Sequence, residues 1–426
     1  MEALKTIGKA WKIPDIRKKI IFTLLMLVVF RIGSNIPVPG INREILDQAF
    51  NGDSGLFELF DLFSGGAFSN LTIFALSITP YITASIVLQL LTIAIPALER
   101  LAKEGVEGRK KIARYTRYLT VALAFVQAIG MTLGIFKQYL LNTDFFHITV
   151  VVFVLSAGTA FLMWLGELIN ENGIGNGISL IIFGGIVARV PSAVMAAYSN
   201  YKSGAISLVG IFLFLAFAIL VIIVIIEIQQ GQRRIPVRYA KRVVGRKMYG
   251  GQSTHIPLKV NQAGVIPVIF GMSLLQLPQT LVYFWPNTGF SEFMTKWLST
   301  NGTPGVYVYS VFYAILIIFF TYFYTAVTFN PMEVADNMKA NGGFVPGIRP
   351  GRPTVEYLQK VMNRITFTGA IFLAVIAVMP LIIGNFTAID FKFGGTSLLI
   401  AVGVALDTMK QLENQMVMRN YQGFLK

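Results

Sequence analysis

Ten predominantly apolar runs recur along the chain, separated by short stretches that hold most of its charge. They lie near residues 20–36, 68–95, 116–136, 147–168, 177–198, 206–228, 260–284, 306–329, 365–383 and 396–414. A helix rises about 1.5 Å per residue, so roughly 20 such residues cross an apolar core about 30 Å thick. Charged residues make up 13% of the chain, about half of the ~25% usual in soluble domains. The pattern predicts an all-α polytopic membrane protein with about ten transmembrane helices. Its first apolar run continues into Arg31 and Pro37 without a small-residue cleavage site, so it reads as a permanent span rather than a signal peptide.

Basic residues set the orientation. The connections alternate between two sides, and one side carries all but seven of the 36 Lys and Arg. The seven exceptions are Arg31, Arg43, Lys137, Arg189, Lys202, Lys296 and Lys392. The basic side is therefore read as cytoplasmic, with both termini on it. An even number of spans divides into two halves, 1–200 and 201–426. With about five spans each, the second half would sit inverted relative to the first, as in many transport proteins. No sequence repeat marks this symmetry.

Several chemistries are excluded. There is no cysteine, so thiolate metal sites, disulfides and cysteine nucleophiles are out. His147 and His255 stand far apart, too few for a histidine metal or catalytic cluster. Glu167, Glu227 and Asp407 fall near cytoplasmic ends of spans, and Arg31 and Arg189 near outer ends. Ion-coupled carriers need ionisable groups at mid-membrane depth, and none is evident. No GxxxxGK[ST] phosphate loop occurs, and the GIGNG stretch at 173–177 reads as a tight turn between helices. No cofactor, metal or catalytic group is expected, so the chain does not read as an enzyme.

Four features remain. In the segment 53–70, Leu56, Leu59, Phe60 and Phe63 follow helical spacing, with Glu58 and Asp61 beside them and Gly65-Gly66 behind. At about ten residues this helix is too short to span. It lies either on the outer surface or as a re-entrant helix tucked between spans. Isoleucines recur at four-residue spacing: Ile78, Ile82 and Ile86; Ile174, Ile178 and Ile182; with Ile266 and Ile269 flanking Pro267. Such stripes face lipid or neighbouring helices, or else meet around a cavity as a constriction that excludes ions by dewetting. Thr83, Gln127 and Asn261 are polar at interhelical depth, suited to bonds across helices. Finally, two long cytoplasmic loops, 229–259 and 330–364, are strongly basic, as in Arg233, Arg234, Arg238 and Arg349. They suit topology, anionic lipid, or docking of a large acidic or RNA-bearing partner.

The motifs IPVPGI (36–41), LFSGGA (62–67), ITPYITASIVLQLL (78–91), GIGNGISLIIFGGI (173–186), GQRRIPVRYAKR (231–242), QSTHIPLKVNQAGVIPVIF (252–270), FVPGIRPG (344–351) and FGGTSLLI (393–400) occur in order along the whole chain. Together they resemble the SecY family of protein-translocation channels. The resemblance implies a clamshell of two five-helix halves around an hourglass pore. It implies a plug near 56–68 that includes Leu56, Phe57, Leu59, Phe60 and Phe63. A pore ring would draw on Ile78, Ile82, Ile178, Ile182, Ile266, Ile269 and Ile400. A lateral gate would pass near Thr83, Gln127 and Asn261. Arg349 and Arg246 would lie where a SecA motor or a ribosome docks. The resemblance also implies SecE-like and SecG-like small subunits, signal peptides and preproteins as substrates, contact with membrane lipids, and a place in the plasma membrane. Met332 departs from the arginine of some relatives at the start of the second loop. A secondary transporter for a small solute, also built of inverted halves, is the alternative; it predicts a compact polar site at mid-membrane depth.

Overall fold

The computed structural model describes residues 8, 10–41, 61, 64–134, 136–204, 207–239, 242–244, 247–249, 253–282, 288–298, 304–384 and 395–423. Leu56, Phe57, Leu59, Phe60 and Phe63, and Arg246, lie outside the described residues.

Helix α1 (Pro14–Gly33) begins on a proline, whose absent N–H is no loss in a first turn. A buried, irregular stretch precedes α2 (Thr79–Ala94). The sequence pattern places helix from residue 68, but the backbone turns repeatedly until Thr79-Pro80. Gly65 and Gly66, and even Leu71 and Ser77, hold positive φ there, which interrupts any regular helix. Its polar backbone is satisfied within the protein. Val38 N–H donates to the Leu71 carbonyl and Ile73 N–H to the Ile36 carbonyl, both at 3.0 Å. Irregular backbone at this depth is tolerated because the IPVPGI segment pairs with it.

A break at Ile95 turns α3 (Pro96–Lys103) away from α2 by 101°. There Lys103, 2.6 Å from the Glu99 carboxylate, donates to it and holds its pKa below the usual range. α4 (Val106–Gly134) packs on α5 (Phe145–Asn172), with Arg117 and Glu167 paired at 2.7 Å between them. α6 (Gly177–Ala188) and α7 (Val190–Lys202) make one span broken at Arg189. α8 (Leu208–Gln230) buries only Val221 and Ile225, while Leu208, Phe212 and Leu213 stand largely exposed. A helix apolar all round belongs in lipid.

Between α8 and the seventh span lie β1 (Gln232–Tyr239), β2 (Arg242–Val244), β3 (Lys247–Tyr249) and β4 (Ser253–Lys259). Then come α9 (Ile266–Val282), α10 (Gly289–Trp297), α11 (Gly305–Thr328), α12 (Pro331–Ala340), β5 (Gly343–Phe344), α13 (Arg352–Gly384) and α14 (Gly395–Gly423). Among the described residues, six helical stretches are each long and apolar enough to span alone, or seven if the bent α2–α3 pair is one span. α1, α9 and α14 stand at the remaining three apolar runs. The strands add a small antiparallel sheet of order β4-β1-β5 and a β2–β3 hairpin to the helical frame.

The largest cluster of buried apolar side chains runs from Phe30 and Phe74 to Leu399 and Val404. A second, around Phe68, Phe136 and Leu155, lies in the N-terminal half. A third lies under the β4-β1-β5 sheet.

Candidate functional site

Four helices bring isoleucines to the centre. Ile78 caps α2, and Ile82 and Ile86 follow on one face of it. Ile182 comes from α6, Ile269 from α9 and Ile400 from α14, all buried in the central cluster. Ile178 and Ile266 pack against that cluster, partly buried. All seven isoleucines expected from the sequence thus belong to, or pack against, one extended apolar cluster, drawn from segments both before and after residue 200. Ile174 does not join them. It precedes the start of α6 at Gly177 and instead packs with Ala10, Ile16 and Leu412.

Among the described residues, no buried Asp, Glu, Lys or Arg belongs to this region. Asp61, 6% exposed, is the one buried Asp, Glu, Lys or Arg among the described residues, and its side chain is engaged elsewhere. Its carboxylate accepts hydrogen bonds from Ser64 Oγ, Ser69 N–H and Ser69 Oγ, each at 3.1 Å. Arg189 Nη2 lies 3.4 Å from Asp61 Oδ2, and Arg31 Nη1 donates to the Gly65 carbonyl at 2.7 Å. The two arginines at the outer ends of α1 and α6 therefore hold the chain that follows the 56–63 segment. Gly65 is required there. Its φ is +65°, and a Cβ on it would come within 2.6 Å of Gly185 Cα.

The expected gate residues are buried, but two of them bond locally rather than across helices. Thr83 Oγ1 donates to the Thr79 carbonyl of its own helix at 3.1 Å. Asn261 Nδ2 donates to the Gly264 carbonyl at 2.9 Å, within the turn before α9. Gln127 is buried on α4. The helices that carry them do meet: α9 packs on both α2 and α4.

The GIGNG stretch is a tight turn with its donors occupied. Ile174 N–H goes to Thr23 Oγ1, Gly175 N–H to Gln411 Oε1, and Gly177 N–H to Asn170 Oδ1, at 3.1, 3.0 and 2.7 Å. None of these three is left to cradle a phosphate.

The two basic loops form one body. β1 of the first loop pairs with β5 of the second, with Arg238 opposite Phe344 and Tyr239 opposite Gly343. Ile235 and Val237 are buried in one cluster with Ala335, Met338, Leu358 and Val361, while Arg233, Arg234 and Arg238 are exposed. Arg349 is exposed in the turn after β5, where Gly347 and Gly351 take positive φ. The sequence reading missed this sheet, although buried Ile235 and Val237 alternating with exposed Arg234, Pro236 and Arg238 were its signal.

Comparison with known proteins places this arrangement. The chain superposes on a solved protein-conducting channel with a TM-score of 0.68, covering 96% of this chain and 97% of that one at 20% identity. It superposes on Sec61 in the canine ribosome–channel complex with a TM-score of 0.64 at 18% identity, covering 96% and 97%. The fold is thus the ten-helix polytopic fold of protein-conducting membrane channels. The SecY family model matches residues 72–409. Protein translocase subunit SecY of Streptomyces coelicolor is 49% identical, covering 99% of this chain and all of the relative. That of Aquifex aeolicus is 47% identical over 98% of both. The chain belongs to the SecY family.

Proposed function

We propose that the chain is the pore-forming subunit of a protein translocase in the plasma membrane, with both termini cytoplasmic. Unfolded polypeptides pass between the halves 1–200 and 201–426, through a ring of Ile78, Ile82, Ile178, Ile182, Ile266, Ile269 and Ile400. The observation that supports this reading is that these isoleucines, from segments before and after residue 200, all belong to or pack against one extended apolar cluster. A channel for every kind of side chain must bind none tightly. Isoleucine offers no directional bonds and excludes ions by dewetting.

The segment near 56–68 closes the resting pore as a plug. Its trailing end is held by Asp61, Arg189 and Arg31. A structural neighbour is a SecY whose plug stabilises the closed state and maintains a membrane seal. The seam of α2 and α4 against α9 serves as the lateral gate, with Thr83, Gln127 and Asn261 along it. Through it an apolar segment gains about 0.3–0.6 kcal/mol per Leu or Ile in lipid, while a central charge loses about 2.5–3.5 kcal/mol. Solvation thus sorts secreted from membrane segments, including signal peptides. The driving energy comes from a SecA motor or a ribosome docked on the basic loops at Arg349 and Arg246, and the channel itself hydrolyses nothing. Two structural neighbours stand in ribosome complexes, which supports this docking. SecE-like and SecG-like subunits complete the assembly.

A solute carrier would need a polar binding site at mid-depth. The one buried acidic residue among the described residues, Asp61, is instead tied to a turn. The test is the resting conductance of the channel in planar bilayers. Ile82→Ser with Ile182→Ser is expected to raise it several-fold; an unchanged value removes the ring.

A further inference from the structure

A cavity of about 440 Å³ opens away from the throat, where β1 and the turn at Val260 meet α13. Three cations line it: Arg233, Lys360 and Arg364. None is in an ion pair with a described carboxylate. The one ion pair of α13 among the described residues, Arg352 with Glu356 at 3.5 Å, lies nearer the helix start. Lys360 and Arg364 are one turn apart on the same face, where like charges repel unless an anion sits between them. Val260, Val361 and Ile365 give the cavity an apolar wall, and Tyr357 and Thr368 close its two ends along the helix.

Its position is as telling as its charge. Arg364 directly precedes the apolar run of α13, so the cations stand at the level where that helix passes from water into lipid. On the same face, at helical spacing from Arg364, Phe367, Ile371 and Val375 are 54%, 41% and 55% exposed. A cationic pocket therefore continues into an apolar stripe that runs down the outside of the span.

We propose that this cavity is a headgroup site for an anionic phospholipid. The phosphate sits among Arg233, Lys360 and Arg364, and an acyl chain lies along Phe367, Ile371 and Val375. A free phosphate would match the cations but would leave the stripe unused. Because Arg233 belongs to the sheet and Lys360 and Arg364 to α13, the bound lipid fastens the cytoplasmic platform to the plane of the membrane.

The test uses the full chain purified with the subunits that accompany it, and native mass spectrometry of lipid adducts. Dioleoylphosphatidylglycerol is expected to bind more tightly than dioleoylphosphatidylcholine. The double variant Arg233→Gln/Arg364→Gln should weaken the phosphatidylglycerol adduct about tenfold or more. Arg352→Gln, which removes a cation of the same helix outside the cavity, should leave it unchanged. Equal adducts in the double variant and the wild type overturn the site. Displacement of the lipid by millimolar inorganic phosphate overturns its assignment to lipid. A photo-crosslinker at Thr368 should label lipid in anionic vesicles; labelling of a protein subunit instead assigns the cavity to that partner and sinks the proposal.

Discussion

Asp61 and the isoleucines differ in how far each could be read from sequence. Four-residue spacing alone put Ile78, Ile82 and Ile86 on one face, and they share one. Asp61 stood merely beside an amphipathic stretch, and Arg31 and Arg189 merely at span ends. Their meeting depends on α1 and α6 bracketing a turn, which no local pattern encodes. The same limit explains Thr83 and Asn261. A polar side chain at interhelical depth has a partner in the neighbouring helix or in its own backbone, and both chose the backbone. Arg189→Gln should leave Asp61 with its three hydrogen bonds from Ser64 and Ser69 but without its countercharge. We expect a loss of about 1–3 kcal/mol, seen as a lower unfolding temperature, together with a rise in resting conductance. Asp61→Asn should do the same by itself. The double variant should cost less than the two single costs added, because each alone removes the same contact. Strict additivity in thermal unfolding would argue that the pair does not hold the turn.

At the scale of elements, the helices were the legible part and the cytoplasmic sheet was not. β1 carries Pro236, which counts against a strand in sequence. In the fold β5 reaches only Arg238 and Tyr239, so β1 has an open edge at Pro236 and the missing N–H breaks no pairing there. Sequence separation hid the other half of the sheet, since β5 lies beyond α9 and α11. The consequence is a rigid platform rather than two independent basic loops. Arg349 sits in its β5–α13 turn by backbone alone: its carbonyl accepts from Thr354 Oγ1 at 2.9 Å, and its side chain is exposed. Charge reversal there touches partners without touching the fold. Arg349→Glu is expected to leave expression, membrane insertion and melting unchanged. It should lower motor- or ribosome-driven export into vesicles by about tenfold or more, measured by protection of a preprotein from added protease. Normal export would remove Arg349 from the docking surface.

At the scale of the whole molecule, the halves touch on two sides of the isoleucine region. On one side α14 packs against α1 and α6, and Gln411 accepts from the Gly175 N–H of the opposite half. On the other, α9 packs against α2 and α4. The four ring helices thus pair as α6 with α14 and α2 with α9. If the proposed gate lies at the second pair, opening it while the first holds would widen the throat and expose it to lipid in a single motion. The chain has no cysteine, so introduced pairs report without background. Cysteines at Thr83 and Asn261, joined by a short flexible bismaleimide, should stop both export and release of membrane segments. Leu180 and Thr408 flank Gly175 from the two halves, each within about 3 Å of where its Cβ would stand. Cysteines joined there should leave export near the wild-type rate at the same crosslinked fraction on gels. Export that survives the first crosslink but fails with the second would move the opening to the α6–α14 side and reverse which contact is the gate and which the pivot.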